Sequence, residues 1–274
     1  MRWGCSPGLL RESEKSVRHP KYWIKDAVFG TLSLLESWQT AGFRAILLYH
    51  CVGVDLPSAV PLKLFRRQMA HLKSNYDVVP LRDFKNRENS NGSPGLVAVT
   101  LDDGTLDNYT QALPILEDLD LKATFFIVTG CIGGRYRATY YETPAMNKRQ
   151  IRELSLRGHE IGAHTVHHLS LRGLAREHVV AEMRDSKRRL EDLVEHPITS
   201  FSYPFGHFDP QAWSCAREAG FLSATTTYEA LVPRQNVDWW ALPRIGVDSS
   251  VGMAQFRGKV SPALEAYERL RGRR

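Results

Sequence analysis

From Arg44 onward, short apolar runs rich in β-branched residues alternate with longer amphipathic stretches, and this alternation restricts the fold more than any other feature of the chain. A strand covered on both faces needs a continuous apolar run. Repeated βα units bury such strands in a parallel sheet or barrel. The strand candidates are Ala45 to Tyr49, Asp77 to Val79, Leu96 to Leu101, Ala123 to Val128, Glu160 to Ala163, Ser200 to Tyr203, Leu222 to Thr226 and Ala241 to Ile245. The spacing predicts helices near Leu64 to Asn75, Leu106 to Leu119, Asn147 to Arg157, Arg176 to Glu195 and Pro210 to Ala219. Phe65, Met69 and Leu72 recur at helical spacing, as do Val179, Met183 and Leu190, and both sets are expected in the core. The polar segment Lys85 to Pro94 is expected to be a surface loop. The fold expected is α/β, a distorted (β/α) barrel of seven or eight strands.

A chain of 274 residues accommodates one such barrel plus an extension, so residues 44–274 are taken as the catalytic domain and 1–43 as an N-terminal extension. Within the extension, Tyr22 to Trp38 forms an amphipathic helix candidate that also carries Lys25, Asp26 and Glu36. Its apolar run is too short to span a bilayer, which leaves packing on the domain or peripheral attachment to a membrane. Gly4, Pro7, Arg11 and Glu12 interrupt any export signal near Arg2, so a cytoplasmic or membrane-associated protein is expected. The net charge of +6 and pI near 9.2 would suit an anionic partner. The basic residues are dispersed and no recognition motif accompanies them, so no nucleic-acid partner is expected. Neither oligomeric state nor redox compartment follows from the sequence, the latter because the four cysteines are widely separated.

Two segments carry chemistry. In LVAVTLDDGTLDN, from Leu96 to Asn108, the adjacent carboxylates Asp102 and Asp103 lie where an apolar strand meets a loop opened by Gly104. Barrels keep catalytic groups at the C-terminal ends of their strands. Two buried neighbouring carboxylates repel, unless one faces a cation and the other a proton or an arginine. That asymmetry suits one metal ligand and one base; a solvated turn is the alternative. In GHEIGAHTVHHLSL, from Gly158 to Leu171, His164 and His168 are four residues apart, which brings two imidazoles to one side of a turn. With Asp103 they make two histidines and one carboxylate, leaving positions for water and substrate. His167 is expected to point elsewhere.

Thr100-Leu101-Asp102-Asp103-Gly104 and His164-Thr165-Val166-His167-His168 resemble the first two motifs of the polysaccharide deacetylases of carbohydrate esterase family 4, the NodB homology domain. The resemblance implies that Asp102 is the catalytic base and that Asp103, His164 and His168 bind one divalent metal. Zinc leads, with cobalt, nickel and iron also open. It implies further that Tyr203, Pro204, Phe205 and Gly206, within Phe201 to Gly206, line the site and help stabilise the oxyanion. Trp239 and Trp240 resemble the fourth motif and would form an apolar wall. The arginine that many members carry before the third motif's proline is missing. Arg244 is the candidate replacement, against a surface arginine at a strand end.

No histidine follows His207, so the family's late Leu-x-His, the source of its catalytic acid, is absent. The strand Ala45 to Tyr49 nevertheless ends at His50. A strand closing a barrel can be encoded first or last without moving in space, and this order resembles the circularly permuted branch that de-N-acetylates poly-N-acetylglucosamine. His50 is therefore assigned as general acid. The implied function is release of acetate from an N-acetylated glycan, with cell-envelope or extracellular action implied by family resemblance. The alternatives are a deacetylase of another small amide or ester, such as peptidoglycan, a lipid-linked sugar or a polyamine, and an inactive glycan-binding barrel.

Overall fold

The computed structural model describes residues 43–56, 58–87 and 95–270; the expected helix at Tyr22 to Trp38 and most of the Lys85 to Pro94 loop lie outside them. In chain order the elements are β1 (Arg44–Tyr49), α1 (Leu62–Asn75), β2 (Tyr76–Val78), α2 (Leu81–Phe84), β3 (Gly95–Leu101), α3 (Leu113–Asp118), β4 (Thr124–Ile127), β5 (Arg135–Arg137), β6 (Glu142–Pro144), α4 (Lys148–Leu156), β7 (Glu160–Ala163), α5 (Arg176–Val194), β8 (Ser200–Ser202), α6 (Pro210–Glu218), β9 (Ser223–Thr225), β10 (Ile245–Gly246), α7 (Met253–Lys259) and α8 (Ala263–Leu270). The main sheet runs β10-β1-β3-β4-β7-β8-β9, with β2 on β3, and every pairing in it is parallel.

The segment 242–247 closes the ring. Leu242 bridges Thr225 on β9, and three residues later Ile245 pairs with Leu47 on β1. The Thr226 amide donates to the Leu242 carbonyl at 2.9 Å and the Val247 amide to the Leu48 carbonyl at 2.9 Å. The expected strand Ala241 to Ile245 is thus present as a closing ribbon, with ladder pairing confined to its end.

Alternation along the strands builds two cores. Leu47, Val97, Val99, Phe125, Ala163 and Phe201 point outward and pack under the helices in the larger core. Ile46, Ala98, Phe126 and Leu242 point inward and fill the middle of the barrel. A Cβ on Gly162 would stand 2.4 Å from the Phe126 ring, so only glycine admits that ring to the interior. Below this plug Glu160 is buried, accepting from Thr124 at 2.8 Å, Ser200 at 2.6 Å and the Arg82 amide at 2.7 Å. Above it Thr100, Asp102, His164, Ser202 and Arg244 are also buried. The polar site stands on an apolar floor.

The expected helix Leu106 to Leu119 is broken by a wide π turn, Asn108–Ala112, before α3 begins. The antiparallel hairpin β5-β6 and the helices α7 and α8 were not anticipated from the sequence, because none shows a long enough periodic run. No described helix is long and apolar enough to cross a membrane.

His159, 1% exposed below the barrel floor, accepts from the Ala123 amide at 3.2 Å, and burial lowers its pKa to about 4. Between that value and the usual ~6.5, the unfolded chain binds the proton and the folded chain does not. The contribution is therefore complete above pH ~6.5 and lost as pH falls toward about 4, by as much as roughly 3 kcal/mol. In His159→Asn, which keeps an acceptor and cannot titrate, urea midpoints are expected to fall less than wild type over that interval. Parallel curves would contradict this origin.

Candidate active site

The chemistry-bearing side chains gather where parallel strands end. β1 leads into His50, β3 into Asp102 and Asp103, β7 into His164, and the closing ribbon into Arg244. Their loops are held in sparsely populated backbone: Asp103, Thr165, His168 and Phe205 have φ of 75°, 64°, 55° and 59°. Left-handed non-glycine residues each cost on the order of 1 kcal/mol or more, so such a cluster marks a site whose geometry is maintained by its surroundings.

The two adjacent carboxylates have opposite environments. Arg244, completely buried, grips Asp102 with a two-pronged contact, Nη1 to Oδ1 and Nη2 to Oδ2, both 2.7 Å. The fork is itself held, donating to Thr100 Oγ1 at 3.0 Å, Ser202 Oγ at 3.0 Å and the Thr226 carbonyl at 2.8 Å. Burial works to raise the Asp102 pKa, but Arg244, reinforced by His164, overcomes it and holds the carboxyl well below its usual range. For Asp103, burial prevails and the pKa is raised. Asp103 Oδ1 is buried without a hydrogen-bond partner.

That oxygen lies 3.6 Å from His164 Nε2 and 3.5 Å from His168 Nε2. One ligand atom from each of the three residues lies within 4.8 Å of the others, a separation that fits a shared cation. The tautomer of His164 is set by its other nitrogen: Nδ1 lies 2.7 Å from the Ser202 carbonyl, which can only accept, so in the neutral ring the lone pair is on Nε2. Burial lowers the His168 pKa to about 3, which keeps this ring neutral. An unpartnered buried carboxylate oxygen between two imidazole nitrogens is a donor set that suits a divalent metal.

Several supporting residues escaped the sequence reading. Glu182 on α5 accepts from the Val166 amide at 2.8 Å, the His167 amide at 2.9 Å and His167 Nδ1 at 2.5 Å, anchoring the histidine loop and turning His167 away. Asn108 donates to the His50 carbonyl at 2.7 Å and Asp107 accepts from the Val52 amide at 2.7 Å, fixing the loop after β1 from the π turn. Tyr136, from the unanticipated hairpin, places its hydroxyl 3.4 Å from His168 Nδ1. Polar side chains beside a motif were the available signal for Asp107 and Asn108; Tyr136 had none.

A cleft of about 510 Å³ opens over these groups, lined by His50, Asp102, Asp103, His164, His168 and Phe205, and beyond them by the turn and helix at 246–259. Trp239 and Trp240 do not line it, which corrects the apolar wall expected of them. Trp239 lies against Arg44 at the start of β1, and Trp240 Nε1 donates to the Phe221 carbonyl just before β9. Both occupy the N-terminal end of the barrel; the ribbon must run upward from them before Arg244 reaches the site. Tyr203 is likewise turned away, its hydroxyl donating to the Trp240 carbonyl at 3.1 Å, and of Tyr203 to Gly206 only Phe205 faces the cleft.

Residues 89–224, about half of the chain, match the family model described as polysaccharide deacetylase. The Bacillus subtilis (strain 168) protein YxkH is 29% identical over 214 residues, covering 77% of this chain and 74% of its own. A peptidoglycan-N-acetylglucosamine deacetylase of Bacillus cereus is 32% identical over 157 residues, 57% of this chain and 64% of its own. Among solved structures, the Streptococcus pyogenes deacetylase PplD in complex with acetate superposes with a TM-score of 0.71 at 25% identity, covering 81% of this chain and all 100% of that one.

Proposed function

This chain carries a polysaccharide deacetylase domain and is an enzyme of that family, a hydrolase acting on carbon–nitrogen bonds; from that premise we propose that it removes N-acetyl groups from an N-acetylglucosamine-containing glycan with the help of one divalent metal. The observation that carries the reading is the split pair of carboxylates, Asp102 clamped by Arg244 and Asp103 left open between His164 and His168. Asp103, His164 and His168 would hold the metal, zinc first among the candidates. When bound, a divalent cation supplies Lewis acidity for activating water and polarising the amide carbonyl.

The protein's own groups do the rest. Asp102, kept ionised by Arg244, accepts the proton of the attacking water. The Phe205 backbone N–H supplies a hydrogen bond to the developing oxyanion, an interaction of a kind worth roughly 3 kcal/mol. His50 protonates the departing nitrogen, without which an amine is a poor leaving group. The products are acetate and a free amine on the sugar.

The test is acetate release from N-acetylglucosamine oligomers, muropeptides and acetylated polyamines, before and after chelation. Release from the glycans that disappears on chelation and returns with added zinc is expected. Turnover undiminished in metal-free protein would sink the proposal, and preference for a polyamine would move it to another small amide. In the same assay His50→Ala is expected to lose roughly 100-fold in rate on the amide. It should keep its metal and lose far less on an aryl acetate, whose leaving group needs no proton; equal losses on both would remove His50 as the acid.

A further inference from the structure

The hairpin β5-β6 is fastened to the loop that carries Asp103. The Met146 amide donates to the Gly104 carbonyl at 3.0 Å, Thr105 and Ala145 form an antiparallel bridge, and the Ala145 amide donates to the Gly134 carbonyl at 3.0 Å. Tyr136 stands in the middle of β5, opposite Thr143 on β6, and is 3% exposed between the exposed Arg135 and Arg137. Strand alternation turns the two arginines to solvent and the tyrosine into the cleft.

The two histidines of the metal site are oriented differently. His164 Nδ1 meets a backbone carbonyl, that of Ser202. His168 Nδ1 has, among the described residues, a single polar neighbour, the Tyr136 hydroxyl at 3.4 Å. The His168 ring also meets Tyr136 edge-on, with centroids 5.4 Å apart, and Phe205 with centroids 4.6 Å apart. The same hydroxyl reaches the Asp103 carboxylate: burial raises the Asp103 pKa, and hydrogen bonding from Tyr136 is among the effects that oppose it.

A phenol carries one proton. Donated to the ionised carboxylate, which can only accept, it leaves the phenol oxygen to accept from His168 Nδ1–H. The lone pair of that ring then stands on Nε2, 3.5 Å from Asp103 Oδ1. With the proton given to Nδ1 instead, Nε2 would carry a hydrogen and could not ligate.

We propose that Tyr136 is a positioning residue of the metal site, its hydroxyl joining His168 to Asp103 and selecting the tautomer in which the histidine can ligate. The inference rests on the metal-assisted reading above and gives the hairpin β5-β6 a part in metal affinity.

Tyr136→Phe keeps the ring and removes the hydroxyl. Zinc titrated into metal-free protein against a competing chromophoric chelator is expected to bind it roughly 10- to 100-fold more weakly than wild type. Tyr141→Phe controls for loosening of the hairpin, since that hydroxyl, just before β6, lies 3.8 Å from Cys51 Sγ and, among the described residues, bonds to no ligand of the metal site. Its zinc affinity should stay within about twofold of wild type. A Tyr136→Phe affinity inside that same margin overturns the positioning role alone. An equal loss in both variants makes the effect one of hairpin packing and overturns it too. Wild-type protein that binds no zinc removes both this role and the metal reading beneath it.

Discussion

Arg244→Met is expected both to lower stability by about 3–5 kcal/mol and to cut acetate release at least roughly 100-fold. Arg244 and Asp102 are 0% and 2% exposed, so removing the guanidinium leaves a carboxylate in the barrel with Ser202 Oγ, 3.2 Å away, as its remaining side-chain donor. The pH dependence should change sign. In wild type the Asp102 pKa is depressed on folding, so its contribution is present above the ordinary carboxylate value and is lost as pH falls through the folded one. Without Arg244, burial prevails and raises the pKa; the variant then gains relative stability as pH falls toward protonation of Asp102. Urea unfolding from pH 7 down to below the ordinary carboxylate pKa of about 4, beside acetate release, measures both effects. Arg244→Lys keeps the charge but not the planar fork, and should fall between. A methionine variant with wild-type midpoint and rate would mean that the ion pair neither holds nor ionises Asp102.

Loss of a metal ligand has the other large effect. Asp103→Asn and His164→Ala are each expected to reduce acetate release by roughly 1,000-fold or more, the scale on which several kcal/mol of transition-state stabilisation disappears. Bound zinc, measured by elemental analysis, should fall from one per chain to well below it. Stability separates a ligand from a merely structural carboxylate. Metal binding to the folded state alone stabilises wild type by about 2.7 kcal/mol at a hundredfold excess over Kd. Asp103→Asn should lose that increment, yet in chelator it should be at least as stable as wild type, since Asp103 Oδ1 has no partner to forfeit. Zinc-dependent stabilisation that survives in Asp103→Asn would place the metal elsewhere.

Periodicity and motif order made much of this architecture legible in advance. Each of the eight strand candidates corresponds to a parallel strand or, for Ala241 to Ile245, to the closing ribbon, with ends shifted by a residue or two. Strand ends are weakly encoded because pairing depends on the neighbour's length. Asp103, His164 and His168 are brought together as their position after two strands implied. The resemblance to the fourth motif misplaced Trp239 and Trp240, because sequence order does not say at which end of a barrel a connecting segment stands. Trp240 and Arg244 are four positions apart, enough extended chain to span much of the barrel's height.

By itself the sequence determined the βα alternation, the inward and outward sets along each strand, and the carboxylates and histidines that follow β3 and β7, since all of these are local in the chain. Only the tertiary structure decided how the two neighbouring aspartates differ. Arg244 reaches Asp102 across 142 positions of sequence, Glu182 holds the histidine loop from a helix, and Tyr136 arrives on a hairpin with no periodic signature. Whether a buried carboxylate becomes a clamped base or an open ligand depends on which cation stands within a few ångströms. That distance is a property of barrel closure.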